Sequence, residues 1–212
     1  MRKWSNVYNK RGGRMMSDHW EEWTVEGAIR RTGVLKEGHF VLSSGRHSGQ
    51  FMQCAQMLQY PREAEQAGRA LAKRFRSAKV DAVVGPALGG VVIAHETARA
   101  LNVRCLFAER KEGQMTLRRG FTIRPGERVL VIEDVVTTGG SVQEVVTLMK
   151  NTGAEIVGIG SVIDRSGGRA SFDPPFQSLL QHTITSYSPE GCPLCRQGIP
   201  VEKPGTRQTL KG

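Results

Sequence analysis

Between residues 82 and 164, short runs of apolar residues alternate with stretches whose apolar positions recur every three or four residues. The runs DAVVGPA, VRCLFAER, RVLVIEDV and EIVGIGSVID read as strands. Between them GGVVIAHETARAL and SVQEVVTLMKNTG read as helices, the second ending at Gly153. MTLRRGFTI is an excursion between the second and third strands. Strands alternating with helices predict an α/β domain whose parallel sheet is covered on both faces. Upstream, Pro61 opens a helix with Ala64, Ala67, Leu71 and Phe75 on one face. Residues 39–54 alternate around SSGRHSG and predict two strands joined by a turn, with Arg46 and His47 as turn residues. Residues 18–32 predict a helix capped by Ser17 or Asp18 and stopped at Gly33.

In such sheets ligands bind beyond the carboxyl ends of the strands. That directs attention to residues 85–90, 109–112, 133–141 and 164–168. The densest chemistry lies in VLVIEDVVTTGGS, residues 129–141. An apolar strand delivers Glu133 and Asp134, and a hydroxyl- and glycine-rich turn then leads into a helix. Gly139 and Gly140 let the backbone approach an anion. The amides of residues 137–141 can face a phosphate at the helix N-terminus, where the dipole favours negative charge. Thr137, Thr138 and Ser141 add hydroxyls. The two carboxylates would repel a phosphate but suit the hydroxyls of a sugar that carries one. Adjacent strand positions point to opposite faces, so one acid is expected at the sugar and the other in a supporting place. The turn lacks the GK[ST] of a Walker loop.

Charge narrows the class of protein. The 212 residues carry a net +10, of which Arg2, Lys3, Lys10, Arg11 and Arg14 supply five within an acid-free leader. The remaining surplus fits phosphorylated substrates. No aromatic-basic ladder or zinc-finger spacing argues for nucleic acid. Hydrophobic residues are 39% and charged residues 24%, and no apolar stretch has the length of a membrane span. The basic N-terminus lacks the apolar region of a secretory signal, so a cytoplasmic enzyme is expected. Cys54, Cys105, Cys192 and Cys195 do not form a disulfide framework. Cys105 reads as a small hydrophobe in a strand. CPLCRQG, residues 192–198, is half of a zinc knuckle. A plain turn with reduced thiols is the expectation there; the alternatives are a metal, with His182 or a second chain as further ligands, and a redox disulfide.

The run at 129–141 resembles the 5-phosphoribosyl-1-pyrophosphate (PRPP) signature of the type I phosphoribosyltransferases. Three other stretches are similar to the orotate branch: GHFVLSSGRHSGQFMQCA (38–55), VGPALGG (84–90) and VIDRSGG (162–168). The resemblance implies a parallel sheet flanked by helices, with a small hood formed mainly by N-terminal elements. A leader would span residues 1–17, the catalytic domain 18–190 and a tail 191–212. It implies that Glu133 and Asp134 hold the ribose hydroxyls and that Val135, Val136, Thr137, Thr138, Gly139, Gly140 and Ser141 cradle the 5′-phosphate. Leu88 and Gly89 would approach the pyrophosphate. Arg165 would grip the orotate carboxylate, Thr137 would touch orotate, and Phe51 would pack on the pyrimidine face.

The implied reaction converts orotate and PRPP to orotidine 5′-monophosphate and pyrophosphate, in de novo pyrimidine synthesis. Mg²⁺ would accompany PRPP, bound mainly through the substrate's oxygens. The alternatives are another base, or a PRPP-sensing regulator that binds nucleic acid. The family's mobile loop corresponds to residues 108–121, with Arg110 and Lys111 as its catalytic basic pair. In a homodimer it would act over the neighbour's site. Gln114 and Met115 stand where a further lysine and histidine are usual, and Ser43 and Gly89 stand where many members have lysines. Arg118 or Arg119 would compensate.

Overall fold

The computed structural model describes residues 23–42 and 44–204. The basic leader, the caps expected at Ser17 and Asp18, and Ser43 lie outside the described residues.

Nine strands and six α-helices follow one another among the described residues. The main sheet runs β5 (Gln114–Leu117), β4 (Arg104–Lys111), β3 (Ala82–Pro86), β6 (Arg128–Val136), β7 (Glu155–Asp164), β8 (Phe176–Gln181). All neighbours are parallel except β5, which turns back antiparallel on β4. Two crossover helices, α4 (Gly89–Leu101) and α5 (Gly140–Asn151), carry the chain between strands. After β3 the chain goes first to β4 on one side and later to β6 on the other. The order therefore reverses between β3 and β6, which is where a ligand crevice opens in sheets of this kind.

Alternation along the central strands builds two cores. Val83, Leu130 and Ile132 face α4 and α3 (Pro61–Arg74). Ala82, Val84, Val129 and Val131 face α5 through Val142, Val145 and Met149. All of these strand residues are fully buried, the condition under which parallel strands read as continuous apolar runs.

A second, three-stranded antiparallel sheet forms the hood from β1 (Leu35–Val41), β2 (His47–Met52) and β9 (Ser186–Tyr187). Helix α1 (Val25–Thr32) leads into it, capped by the Thr24 hydroxyl and closed by Gly33 in the left-handed region. Gly33 ends the helix as expected. A short helix, α2 (Ala55–Leu58), leads out.

Two expectations need correction. His47 is not a turn residue: it opens β2 and is buried. Nor do residues 191–202 trail as a tail. Cys192 is fully buried at the start of α6 (Pro193–Arg196), and Glu202 exchanges backbone hydrogen bonds of 2.8 Å with His39 and Val41. The apolar residues of CPLCRQGIP, Cys192, Leu194, Cys195 and Ile199, follow neither a strand nor a sustained helix period by which to see this.

Candidate active site

The turns after β3 and β6 meet at the strand-order reversal. Helix α5 begins behind Gly139 (φ 81°, ψ 0°), and no side chain caps it. Its first amides therefore lack a side-chain cap, and the helix dipole favours an anion there. A cavity of about 60 Å³ lies here, lined by Glu133 and the turn from Val135 to Val142. Thr137, Thr138 and Gly140 are exposed, Val135 and Ser141 half-buried, and Val136 is buried as the last residue of the strand. Opposite, the Ala87–Leu88 peptide is cis and Leu88 stands 87% exposed.

The acid pair does not divide between the two faces of β6 as strand alternation predicts. Asp134 Oδ1 lies 2.7 Å from the place a Cβ would take on Gly89, and Glu133 Oε1 lies 3.1 Å from the corresponding place on Gly90. Both carboxyl groups thus reach the start of α4. Glu133 Oε1 accepts from the Asp134 amide (3.0 Å), and Asp134 Oδ1 accepts from the Val135 amide (2.8 Å). Burial pushes the Glu133 carboxyl well above the ordinary glutamate range, and the charge of Asp134 adds to this. Burial also raises Asp134, partly offset by hydrogen bonds from Glu133 and from backbone amides. The Cys54 thiol is likewise pushed up, first by burial and then by the negative charges of these two acids.

This geometry explains one departure from the family pattern. A lysine at position 89 would place its Cβ against the Asp134 carboxylate. Glycine is what the close approach of α4 to β6 accepts.

Arg165 follows β7, and its amide donates to Val136 O (2.8 Å), which ties it to the phosphate turn. Its Nε is buried without a hydrogen-bond partner, and desolvation lowers the guanidinium pKa. Among the described residues no carboxylate pairs with it, so it is not an ordinary salt-bridging residue at a strand end. Phe51 is half-buried on β2, its ring 5.8 Å from that of Phe40. Beside it, Gln50 Oε1 meets His182 Nε2 at 3.3 Å, which joins the hood to the main sheet.

The sequence match reaches further than the site. The phosphoribosyl transferase domain family matches residues 53–191. An orotate phosphoribosyltransferase of Thermotoga petrophila is 54% identical over 86% of this chain and 98% of its own length. One from Caldanaerobacter subterraneus is 52% identical over 89% and 99%. This chain belongs to the orotate branch of the phosphoribosyltransferase family. Among solved structures, the Mycobacterium tuberculosis orotate phosphoribosyltransferase in complex with inorganic phosphate superposes with a TM-score of 0.60. It shares 25% identity over 74% of this chain and 94% of that one.

Residues 109–119 are the stretch expected to act as the mobile loop. They form a hairpin, β4–β5, closed by Glu112 and Gly113, both at positive φ. Positive φ at both central residues is the geometry of a type I′ turn, which matches the twist of the strands it joins. Arg110 donates to Glu144 Oε1 on α5 (2.7 Å) and to Gly113 O (3.0 Å). Lys111 is exposed. Arg118 and Arg119 both pair with Glu109, and Arg119 lies over the Phe107 ring. In this conformation Arg110 is thus engaged by α5, and Arg118 and Arg119 by the hairpin's own Glu109.

Sequence reading missed Phe172, whose Cζ lies 2.7 Å from where a Gly139 Cβ would be, and which closes the turn from outside. It missed Glu144 for the same reason. Both act through contacts between segments far apart in the chain, and neither sits in a motif.

Proposed function

We propose that this protein transfers the 5-phosphoribosyl group of PRPP to N1 of orotate, giving orotidine 5′-monophosphate and pyrophosphate. The observation that carries the reading is Arg165. A guanidinium held against the phosphate turn, with a buried Nε lacking any partner, is costly unless a ligand completes it. A planar carboxylate two bonds from a pyrimidine nitrogen is such a ligand, gripped at two points.

In this reading the uncapped start of α5 and the hydroxyls of Thr137, Thr138 and Ser141 hold the 5′-phosphate. Asp134 and Glu133 accept hydrogen bonds from the ribose diol. Leu88 and Gly89 border the pyrophosphate, and Phe51 and Thr137 border the base. As the C1′–O bond breaks, positive charge grows on the ribose, and the nearby acids stabilise it. The charge of orotate sits on its carboxylate, so N1 still carries a proton, which passes to water as the N1–C1′ bond forms and the C1′–O bond to pyrophosphate breaks; no covalent nucleophile is called for. The protein's share is positioning and electrostatic stabilisation.

The donors here suit Mg²⁺–PRPP: hard carboxylate oxygens beside a cradle from which the packing at Gly89 and Gly139 excludes side chains. Mg²⁺ bound through the substrate, with Asp134 and Glu133 nearest, would neutralise the departing pyrophosphate. Arg110 and Lys111 assist that departure after Arg110 leaves Glu144. Their ion pair is exposed on both sides, so breaking it costs no more than about 1 kcal/mol. The working unit in this reading is a cytoplasmic homodimer whose hairpin serves the neighbouring site.

The test is pyrophosphate release from PRPP with orotate, uracil, adenine or hypoxanthine. Release with orotate alone is expected. Release with a purine, or with uracil as readily as with orotate, would overturn the assignment of Arg165 and of the base.

A further inference from the structure

Far from the phosphate turn in sequence, four side chains converge in the hood. His39 comes from β1, His47 from β2, and Cys192 and Cys195 from the two ends of the CxxC. Their nitrogen and sulfur atoms all lie within 4.8 Å of one another. His39 Nε2 is 3.0 Å from His47 Nδ1, 3.4 Å from Cys192 Sγ and 3.7 Å from Cys195 Sγ. Cys195 Sγ is 3.3 Å from His47 Nδ1.

Hydrogen bonding among these groups does not account for the arrangement. His39 Nδ1 faces Ile199 O at 2.8 Å, a carbonyl that can only accept, so the ring proton sits on Nδ1. Nε2 then presents a single lone pair, yet three polar atoms surround it. One lone pair cannot serve three partners, but it can point at a common centre between them.

The distances describe such a centre. With Zn–N of about 2.0–2.1 Å and Zn–S of about 2.3 Å, a tetrahedral site has N···N edges of about 3.4 Å and N···S edges of about 3.5 Å. Four of the six pairs, at 3.0, 3.4, 3.7 and 3.3 Å, fall within about 0.4 Å of those values, and the other two lie within 4.8 Å. The carbonyl behind His39 is the partner that fixes tautomer and ring direction in metal-bound histidines. Two thiolates balance the charge of a divalent ion, so a neutral site can be buried. An S₂N₂ set in this shape selects zinc over the oxygen-seeking Mg²⁺ and Ca²⁺.

We infer that His39, His47, Cys192 and Cys195 form a structural Zn²⁺ site that staples the C-terminal segment to the hood. The four ligands leave no open position, so the site is not catalytic. Its use follows from size. The hood sheet has three strands, one of them only two residues long. Sheets that small rarely hold by packing alone, and metals commonly supply the missing stability. The staple joins positions 153 residues apart and fixes the strand that carries Phe51. The CxxC is thus neither a plain turn nor a half-site completed by His182, whose ring meets Gln50 instead.

The experiment uses the full chain, purified without chelator and supplied with Zn²⁺. Elemental analysis is expected to find about one zinc per chain. Replacement by Co²⁺ is expected to give thiolate-to-metal charge-transfer and tetrahedral d–d bands. Cys195→Ser, at the most exposed ligand, is expected to fold yet lose most of the bound zinc. A chelator is expected to lower the melting temperature of wild type, and to leave that of Cys192→Ser/Cys195→Ser unchanged. Zinc far below stoichiometry, or cobalt binding without thiolate bands, would overturn the site. So would a Cys192–Cys195 disulfide found by thiol labelling of the freshly purified chain. The cobalt titration and the labelling use wild type alone, so neither depends on a variant that folds.

Discussion

Arg165 and the Glu133–Asp134 pair both keep polar groups out of water before any substrate arrives, and their behaviour can be separated. Arg165→Ala is expected to raise the orotate KM by ten- to hundredfold, as for loss of a charged hydrogen bond worth about 1.5–3 kcal/mol. The PRPP KM should change far less, since the contact recognises only the base carboxylate. Steady-state kinetics with each substrate varied in turn decides it, and equal changes would make Arg165 a part of the phosphate region. Glu133 offers a pH test. Its folded pKa lies above its unfolded value because of burial and then Asp134. Its contribution to stability is therefore complete below the unfolded value of about 4.3, and is lost as pH rises through the folded value. Glu133→Gln has no such loss. Its melting temperature relative to wild type should climb as pH rises above the unfolded value of about 4.3, while PRPP use falls about ten- to hundredfold. A constant gap in melting temperature would show that Glu133 does not titrate above that value.

At the scale of elements, the turn between β6 and α5 depends on Gly139, which combines φ of 81° with Phe172 closing on the space a Cβ needs. Gly139→Ala should destabilise the fold by about 1–3 kcal/mol, measured by urea unfolding, through left-handed strain and overpacking together. Adding Phe172→Ala should relieve the steric part but not the backbone part, so recovery should be incomplete. This turn was legible in the sequence because strand, acids, glycines and helix are contiguous. The central strands were legible too, since Val83, Leu130 and Ile132 belong to unbroken apolar runs. The strand at Phe176–Gln181 was not, because its residues are only half-buried and mix polar with apolar. Of the hood's ligand cluster the CxxC was legible, but its histidine half was not, for a different reason. His39 and Cys192 meet only when the chain end folds back, and no local spacing encodes that return. The acid pair was expected to divide between two faces, whereas both carboxyl groups reach the start of α4, because backbone alternation fixes Cβ directions and not where a flexible glutamate ends.

At the scale of the whole molecule, the hairpin of residues 109–119 decides whether one chain suffices. In this conformation Arg110 is held by Glu144 of its own α5, and Glu109 holds Arg118 and Arg119. All these pairs are partly exposed, so each is weak enough to exchange for a pyrophosphate. β5 is an edge strand with one neighbour, which lets the hairpin swing without disturbing β3 or β6. A hairpin that must exclude water during transfer and withdraw to release product fits that position. If it serves the neighbouring site, two dead variants should complement each other. Arg110→Ala/Lys111→Ala lacks the basic pair, and Glu133→Gln/Asp134→Asn lacks the sugar site. Each homodimer should be nearly inactive. In a heterodimer, the chain with intact acids would receive an intact hairpin from its partner, and the other site would stay dead. Random exchange makes about half the dimers mixed, with one working site in each, so activity should return to about one quarter of wild type. No recovery after verified subunit exchange would mean that the hairpin serves its own chain, or that Arg110 and Lys111 take no part in the transfer.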